Sequence, residues 1–242
     1  MGQMEPASSV SIKPQRELAK TFPAYQGRKV ARAKSAARRK AILEATLRLA
    51  AREGIRGVKH RSVAREAGVP LAATTYYFRD INELISDAFL LFAERASQDI
   101  QSFCDTLNLV LDHQPPEDLV RNSPRRNLLA RRLAVIANAF LESHLVEGRD
   151  HILVEQVFLI EALREPRLAE LARRHRQLWI VGLTGIFQRL DSPQPHQDAA
   201  LVVDLAFGMG YDQLLGLHGS DASSLQRSVK RMVDLVLGVG YQ

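Results

Sequence analysis

The 242-residue chain has a single cysteine, Cys104, so no internal disulfide can form and the composition fits a reducing cytoplasm. The plain reading of that thiol is a small core residue on the fourth helix; the sharper alternative is a redox sensor. No apolar run approaches the ~18 residues needed to span a membrane. Nor does a continuous apolar block precede a small-residue cleavage site near the N-terminus, which argues against a secretory signal. The seven histidines (60, 113, 144, 151, 175, 196 and 218) have no HExxH or Cys-x-x-Cys companion, so neither a metal site nor a cofactor is expected. A glycine-rich phosphate loop is also missing. Gly208-Met209-Gly210 lies inside a helical apolar run, without the strand a dinucleotide fingerprint requires. Glu155 and Glu161 can line a cavity, although helical carboxylates are more often surface charges. Nothing here points to an enzyme.

Acidic residues are scarce at one end. In the first forty residues Lys13, Arg16, Lys20, Arg28, Lys29, Arg32, Lys34, Arg38, Arg39 and Lys40 are opposed only by Glu5 and Glu17, within a formal net charge of +6. Residues 1–33 show scattered Ser, Pro, Gln and Gly without periodicity, and read as a flexible basic tail. That tail is either a solvated segment or an arm that tracks a phosphate backbone. Between Arg28 and Lys40, phosphate contact is the better reading.

Strand alternation of useful length is missing, and a hydrophobic share of 46% supplies an ample core, so the fold expected is all-α. Helices are expected over residues 35–53, 60–67, 71–77, from 81 onward, 125–146, 151–165, 166–190, 198–217 and 222–239. Asp80 would cap the fourth, with Glu83 completing a capping box. Residues 112–124, with Pro115, Pro116 and Pro124, read as a loop.

One stretch stands out. Val63, Ala64 and Ala67 give a short helix a small apolar face, and Gly68 can adopt the left-handed backbone of a tight turn. Val69 plugs the turn, and Pro70 sits where a helix start tolerates its missing N–H. Two short helices joined this way are a helix-turn-helix, whose second helix enters the major groove. The stretch Val63-Ala64-Arg65-Glu66-Ala67-Gly68-Val69, the aromatic Thr75-Tyr76-Tyr77-Phe78 and the helix start Asn82-Glu83-Leu84 together resemble the TetR family of bacterial transcriptional regulators. The likeness covers about residues 36–92; beyond that only size and helical character agree.

The resemblance implies a three-helix DNA-binding domain over residues 34–80 and a helical effector-binding and dimerisation domain over 81–242. It implies that the third helix contacts double-stranded DNA through Leu71, Ala72, Ala73, Thr75, Tyr76 and Tyr77. Ala73 and Thr75 suit a thymine methyl, and the tyrosine hydroxyls can reach phosphate. One tyrosine is expected to pack beneath the helix instead. Arg61 suits bidentate pairing with guanine. Arg38, Arg39, Lys59 and His60 are candidates for the backbone. Three positions depart from the family pattern. Ile81 stands in place of a phosphate-binding Lys, with Arg79 as its substitute; Lys59 replaces a capping Thr; and Thr75 replaces a Tyr, moving the aromatic contact to Tyr76.

For the body, the resemblance implies a homodimer built from the last two helices and a pocket for a small hydrophobic effector. Phe140, Phe158, Trp179, Phe187, Phe207 and Tyr211 are candidate walls, with Asn138, His144, Gln156 and His175 to orient a polar group. Ordinary core is the competing assignment for each ring. The penultimate helix is apolar nearly all round, so both of its sides should be buried. The final helix carries a stripe of Val229, Met232, Val233 and Val236 that a single subunit would leave uncovered. The function expected is a ligand-responsive repressor acting as a dimer on a palindromic operator. The alternatives are a non-specific architectural DNA binder, or a ligand-binding module with a vestigial head.

Overall fold

Periodicity of 3.6 residues, punctuated by glycine and proline, yields helices throughout. The computed structural model describes residues 33–146, 149–216 and 222–239, which form ten helices. Residues 1–32, most of the basic tail, lie outside the described residues. Helix α1 (Ala33–Glu53) ends at Gly54, and a 3-10 turn (Ile55–Gly57) leads into α2 (His60–Glu66) and α3 (Leu71–Tyr77). Then come α4 (Ile81–Asp112), α5 (Pro116–Leu119), α6 (Arg126–Val146), α7 (Arg149–Ala162), α8 (Pro166–Arg189), α9 (Pro195–Leu214) and α10 (Ala222–Leu237). The expected loop at 112–124 contains α5, a single turn started by Pro116 at its first position. Helix α9 likewise starts at Pro195, three residues before the expected 198.

Two large cores organise the chain. The first gathers Ile42 and Leu49 of α1, Val63 of α2, Phe78 at the end of α3, Leu84 and Phe89 of α4, and Phe158, Leu168 and Ala172 from α7 and α8. Phe89 and Phe158 stack at its centre, 4.3 Å between ring centroids. Helices α1–α3 therefore do not form an isolated head; their core continues into the body. The second core joins α4, α6, α8, α9 and α10 through residues such as Cys104, Leu133, Leu183, Phe187 and Val203.

Helix α10 reverses the expectation. In α10, Val229 and Met232 are buried within the single chain, packed with Ala137, Leu141, Val202 and Met209. Val233 and Val236 are half-buried against the second core. The stripe is covered by α6 and α9, which sequence spacing could not reveal. Helix α9 leaves Leu201, Leu205 and Tyr211 exposed within the single chain, with Leu215 just past its end, on the side an expected second subunit would have to cover.

Candidate functional site

The turn between α2 and α3 closes by local chemistry. Gly68 has φ +65°, the Val69 N–H donates to the Ala64 carbonyl at 3.0 Å, and the Gly68 N–H donates to that of Arg65 at 3.3 Å. This paired pattern closes a helix end onto a left-handed residue, which glycine adopts without cost. Where Lys59 replaces a capping hydroxyl, Ser62 Oγ accepts the Lys59 N–H at 3.0 Å and so restores half of a capping box. Asp80 Oδ1 accepts the Glu83 N–H at 2.8 Å, as expected of a cap. Glu83 closes on the Arg79 N–H, at 2.6 Å, rather than on that of Asp80.

On α3, Leu71, Ala72, Thr75 and Tyr76 are exposed at helical spacing and form one outward stripe, with Tyr76 72% exposed. Ala73 is half-buried and Thr74 fully buried. Tyr77 is the tyrosine that packs beneath: its hydroxyl lies 2.7 Å from Ser35 Oγ of α1, and Tyr76 meets its ring edge-on at 5.1 Å. The Tyr77 hydroxyl is thus engaged within the chain rather than offered to phosphate. Arg38, Lys59 and Arg61 are exposed, and His60 is half-buried. Arg79 is exposed, with Nε 3.3 Å from Glu83 Oε2, so a carboxylate shares its charge.

Arg39 departs from its expected role. Its side chain is 5% exposed, it donates to Asp87 Oδ2 at 2.6 Å, and its guanidinium lies 4.8 Å from the Phe78 ring centroid. Burial lowers the Arg39 pKa and raises that of Asp87, each opposed by the partner's charge. Arg39 locks α1 onto α4; it does not face a phosphate in this arrangement.

In the body, Phe103 of α4, Phe140 and His144 of α6, His151 and Glu155 of α7, Trp179 of α8, Phe207 and Gly210 of α9 and Met232 of α10 surround a cavity of about 110 Å³. Phe140 stacks on Phe103 at 4.3 Å, lies 4.1 Å from the His144 ring and meets Trp179 edge-on at 5.7 Å. Four of the candidates, Phe140, His144, Trp179 and Phe207, are brought together here. The others are not: Phe158 is in the first core, Phe187 in the second, Tyr211 is exposed, and His175 lies behind the wall with Nε2 2.8 Å from Glu155 Oε1. Asn138 and Gln156 also fall outside the cavity lining.

For the polar end of this cavity the sequence offered Glu155 and His144 as candidates, but neither His151 nor the pairing of Glu155 with His175. Glu155 turns inward because α7 is wedged between head and body, and His175 supplies its donor. The His175 Nδ1 is buried without a hydrogen-bond partner among the described residues. The His144 ring lies 5.8 Å from that of His151, and its Nε2 is 3.7 Å from Asp99. Burial lowers the His151 pKa, with the Glu155 charge pulling the other way. The Trp179 Nε1–H is buried without a hydrogen-bond partner among the described residues. Among those residues no group of three or more His, Cys, Asp or Glu could hold a metal ion. No helix among them is long and apolar enough to cross a membrane.

Comparison with known proteins agrees with this geometry. Residues 42–88 match the family model for bacterial regulatory proteins of the tetR family, and residues 125–238 match that for the tetracyclin repressor-like C-terminal domain. The HTH-type transcriptional regulator PksA of Bacillus subtilis (strain 168) is 39% identical over 64 residues, 26% of this chain and 31% of that protein. The match therefore spans less than a third of that relative. A transcriptional regulator from Rhodococcus sp. Rha1 superposes with a TM-score of 0.59 at 20% identity, over 83% of this chain and 96% of its own. EbrR, a multidrug binding protein solved with imidazole, gives 0.52 at 23%, over 81% and 94%. At these identities the two solved structures are alike in fold.

Proposed function

Because the chain belongs to the TetR family of DNA-binding transcriptional regulators, we propose that it is a ligand-responsive repressor acting as a homodimer on a palindromic operator in the cytoplasm. One observation carries the proposal: cavity and DNA-binding core share two helices. Helix α4 places Phe89 and Phe92 in the core beneath α1–α3 and Phe103 on the cavity wall. Helix α7 places Val154 and Phe158 in that core, and His151 and Glu155 on the wall. A molecule that occupies the cavity and favours another placement of α4 or α7 changes the orientation of α3. Two recognition helices must meet successive major grooves ~34–36 Å apart, so a small reorientation lowers operator affinity by the ligand's differential binding to the two states.

The base-reading surface is Arg61 with the outward stripe of Leu71, Ala72, Thr75 and Tyr76; Ala73 lies at its edge, and Arg38, Lys59, His60 and Arg79 supply backbone contacts. The effector is apolar in body, suited to Phe140, Trp179 and Phe207, and carries an acceptor for the Trp179 N–H. EbrR offers a precedent for a small molecule bound within this fold. The second subunit docks on the outer face of α9, where Leu201 and Leu205 are exposed, continued by Leu215 just past its end. Selection of fragments from the host genome tests the reading. It should enrich one palindromic motif with half-sites centred a whole number of helical turns apart. No enrichment would favour a body with a vestigial head, and enrichment without a motif an architectural binder.

A further inference from the structure

The cavity wall is asymmetric in charge. Among the described residues that line it none is Lys or Arg, while Glu155 contributes a carboxylate. Arg176 lies near the rim, its guanidinium 5.7 Å from the Phe207 ring centroid, but it is paired with Asp204. Only one Glu155 oxygen is engaged by His175. A carboxylate removed from water attracts any cation that can approach it, and rejects an anion that would bring a second negative charge into the same apolar space. The walls reinforce that choice. Where the faces of Phe140, Trp179 or Phe207 meet a ligand they favour a cation over a carboxylate, while the buried Trp179 Nε1–H, without a partner among the described residues, takes a neutral acceptor on the same ligand.

Resting on the effector reading above, we propose that this cavity selects cationic ligands, apolar or aromatic molecules carrying a protonated nitrogen that Glu155 neutralises, and excludes carboxylic acids. His151, whose neutral form burial favours, can accept a second N–H from the same nitrogen. His175 is a positioning residue: it fixes the Glu155 carboxylate without lining the cavity.

The chain has one tryptophan, Trp179, and it is on the wall, so its emission reports occupancy directly. The test titrates the full chain at neutral pH with para-butylbenzylammonium and para-butylphenylacetate, which differ in little but the sign of the charged group. The ammonium should bind roughly tenfold tighter or more, the range of a hydrogen bond to a charged group. Glu155→Gln keeps an acceptor for His175 and should collapse the preference to within about threefold, with circular dichroism unchanged. Equal or tighter binding of the carboxylate by the unmodified chain overturns the proposal without any variant, and leaves the effector reading standing. A preference that survives Glu155→Gln assigns it elsewhere and also overturns the proposal. If neither probe alters Trp179 emission at millimolar concentration, the cavity assignment falls. Operator selection then judges the regulator reading separately.

Discussion

Removing the charge of Asp87 should destabilise the protein through Arg39. The two are 2.6 Å apart, and the Arg39 side chain is 5% exposed beneath the Phe78 ring. Asp87→Asn keeps the shape but leaves the guanidinium without the carboxylate on which it closes. Breaking a buried pair from one side costs about 3–5 kcal/mol. Asp87 is 19% exposed and Glu83 also acts on Arg39, so the low end, about 3 kcal/mol, is expected. For a chain of this size that is roughly 6–12 °C in melting temperature. Urea denaturation followed by circular dichroism measures it. The double replacement Arg39→Met with Asp87→Leu should recover most of the loss, because apolar residues of similar volume often substitute for a buried pair. The double variant should also keep the salt dependence of DNA affinity, whereas loss of a phosphate contact would flatten the slope by about 0.9. A loss below about 1 kcal/mol in Asp87→Asn, or a flattened slope in the double variant, would refute the assignment of Arg39 to packing.

Three further outcomes are expected. Leu205→Glu, on the exposed face of α9, should yield a folded monomer in analytical ultracentrifugation, because it places a charge where the second subunit docks; an unchanged dimer puts the interface elsewhere. Arg61→Ala should weaken operator binding by roughly 1–3 kcal/mol and relax preference at one base pair, while Tyr76→Phe should weaken all sequences alike, as judged by binding to a panel of single-base operator variants. Cys104 is buried on α4, and its thiol is pushed up to about 12, first by burial and then by the Asp105 charge. It should therefore resist iodoacetamide at pH 8 until the chain unfolds; rapid alkylation of the native protein would revive the redox-sensor alternative.

What the sequence disclosed was what local chemistry decides. Gly68, Val69 and Pro70 announce the turn because a left-handed glycine and a helix-starting proline act on their immediate neighbours. Asp80 caps α4 for the same reason. Arg39 was misassigned because its partner is 48 residues away, and basic residues beside a helix-turn-helix look alike until a fold draws one of them inward. The same limit explains the cavity. Phe140 and Phe158 are equivalent by type and spacing, yet one reaches Phe103 at the wall and the other Phe89 in the core. Glu155 kept two readings, cavity wall or surface charge, because nothing near it in sequence reveals His175. The α10 stripe shows the converse error: its apolar face was correctly identified, but its cover is α6 and α9 of the same chain.

The most direct test is a titration of the unmodified protein against a palindromic fragment recovered by genomic selection and against random duplex, at one matched salt concentration. Specific regulators bind their sites typically 10³-fold or more tighter than random duplex. A ratio of that order, with one dimer per palindrome, is the predicted result. Equal affinity for the two duplexes would contradict a sequence-reading α3 and leave a non-specific DNA binder in its place.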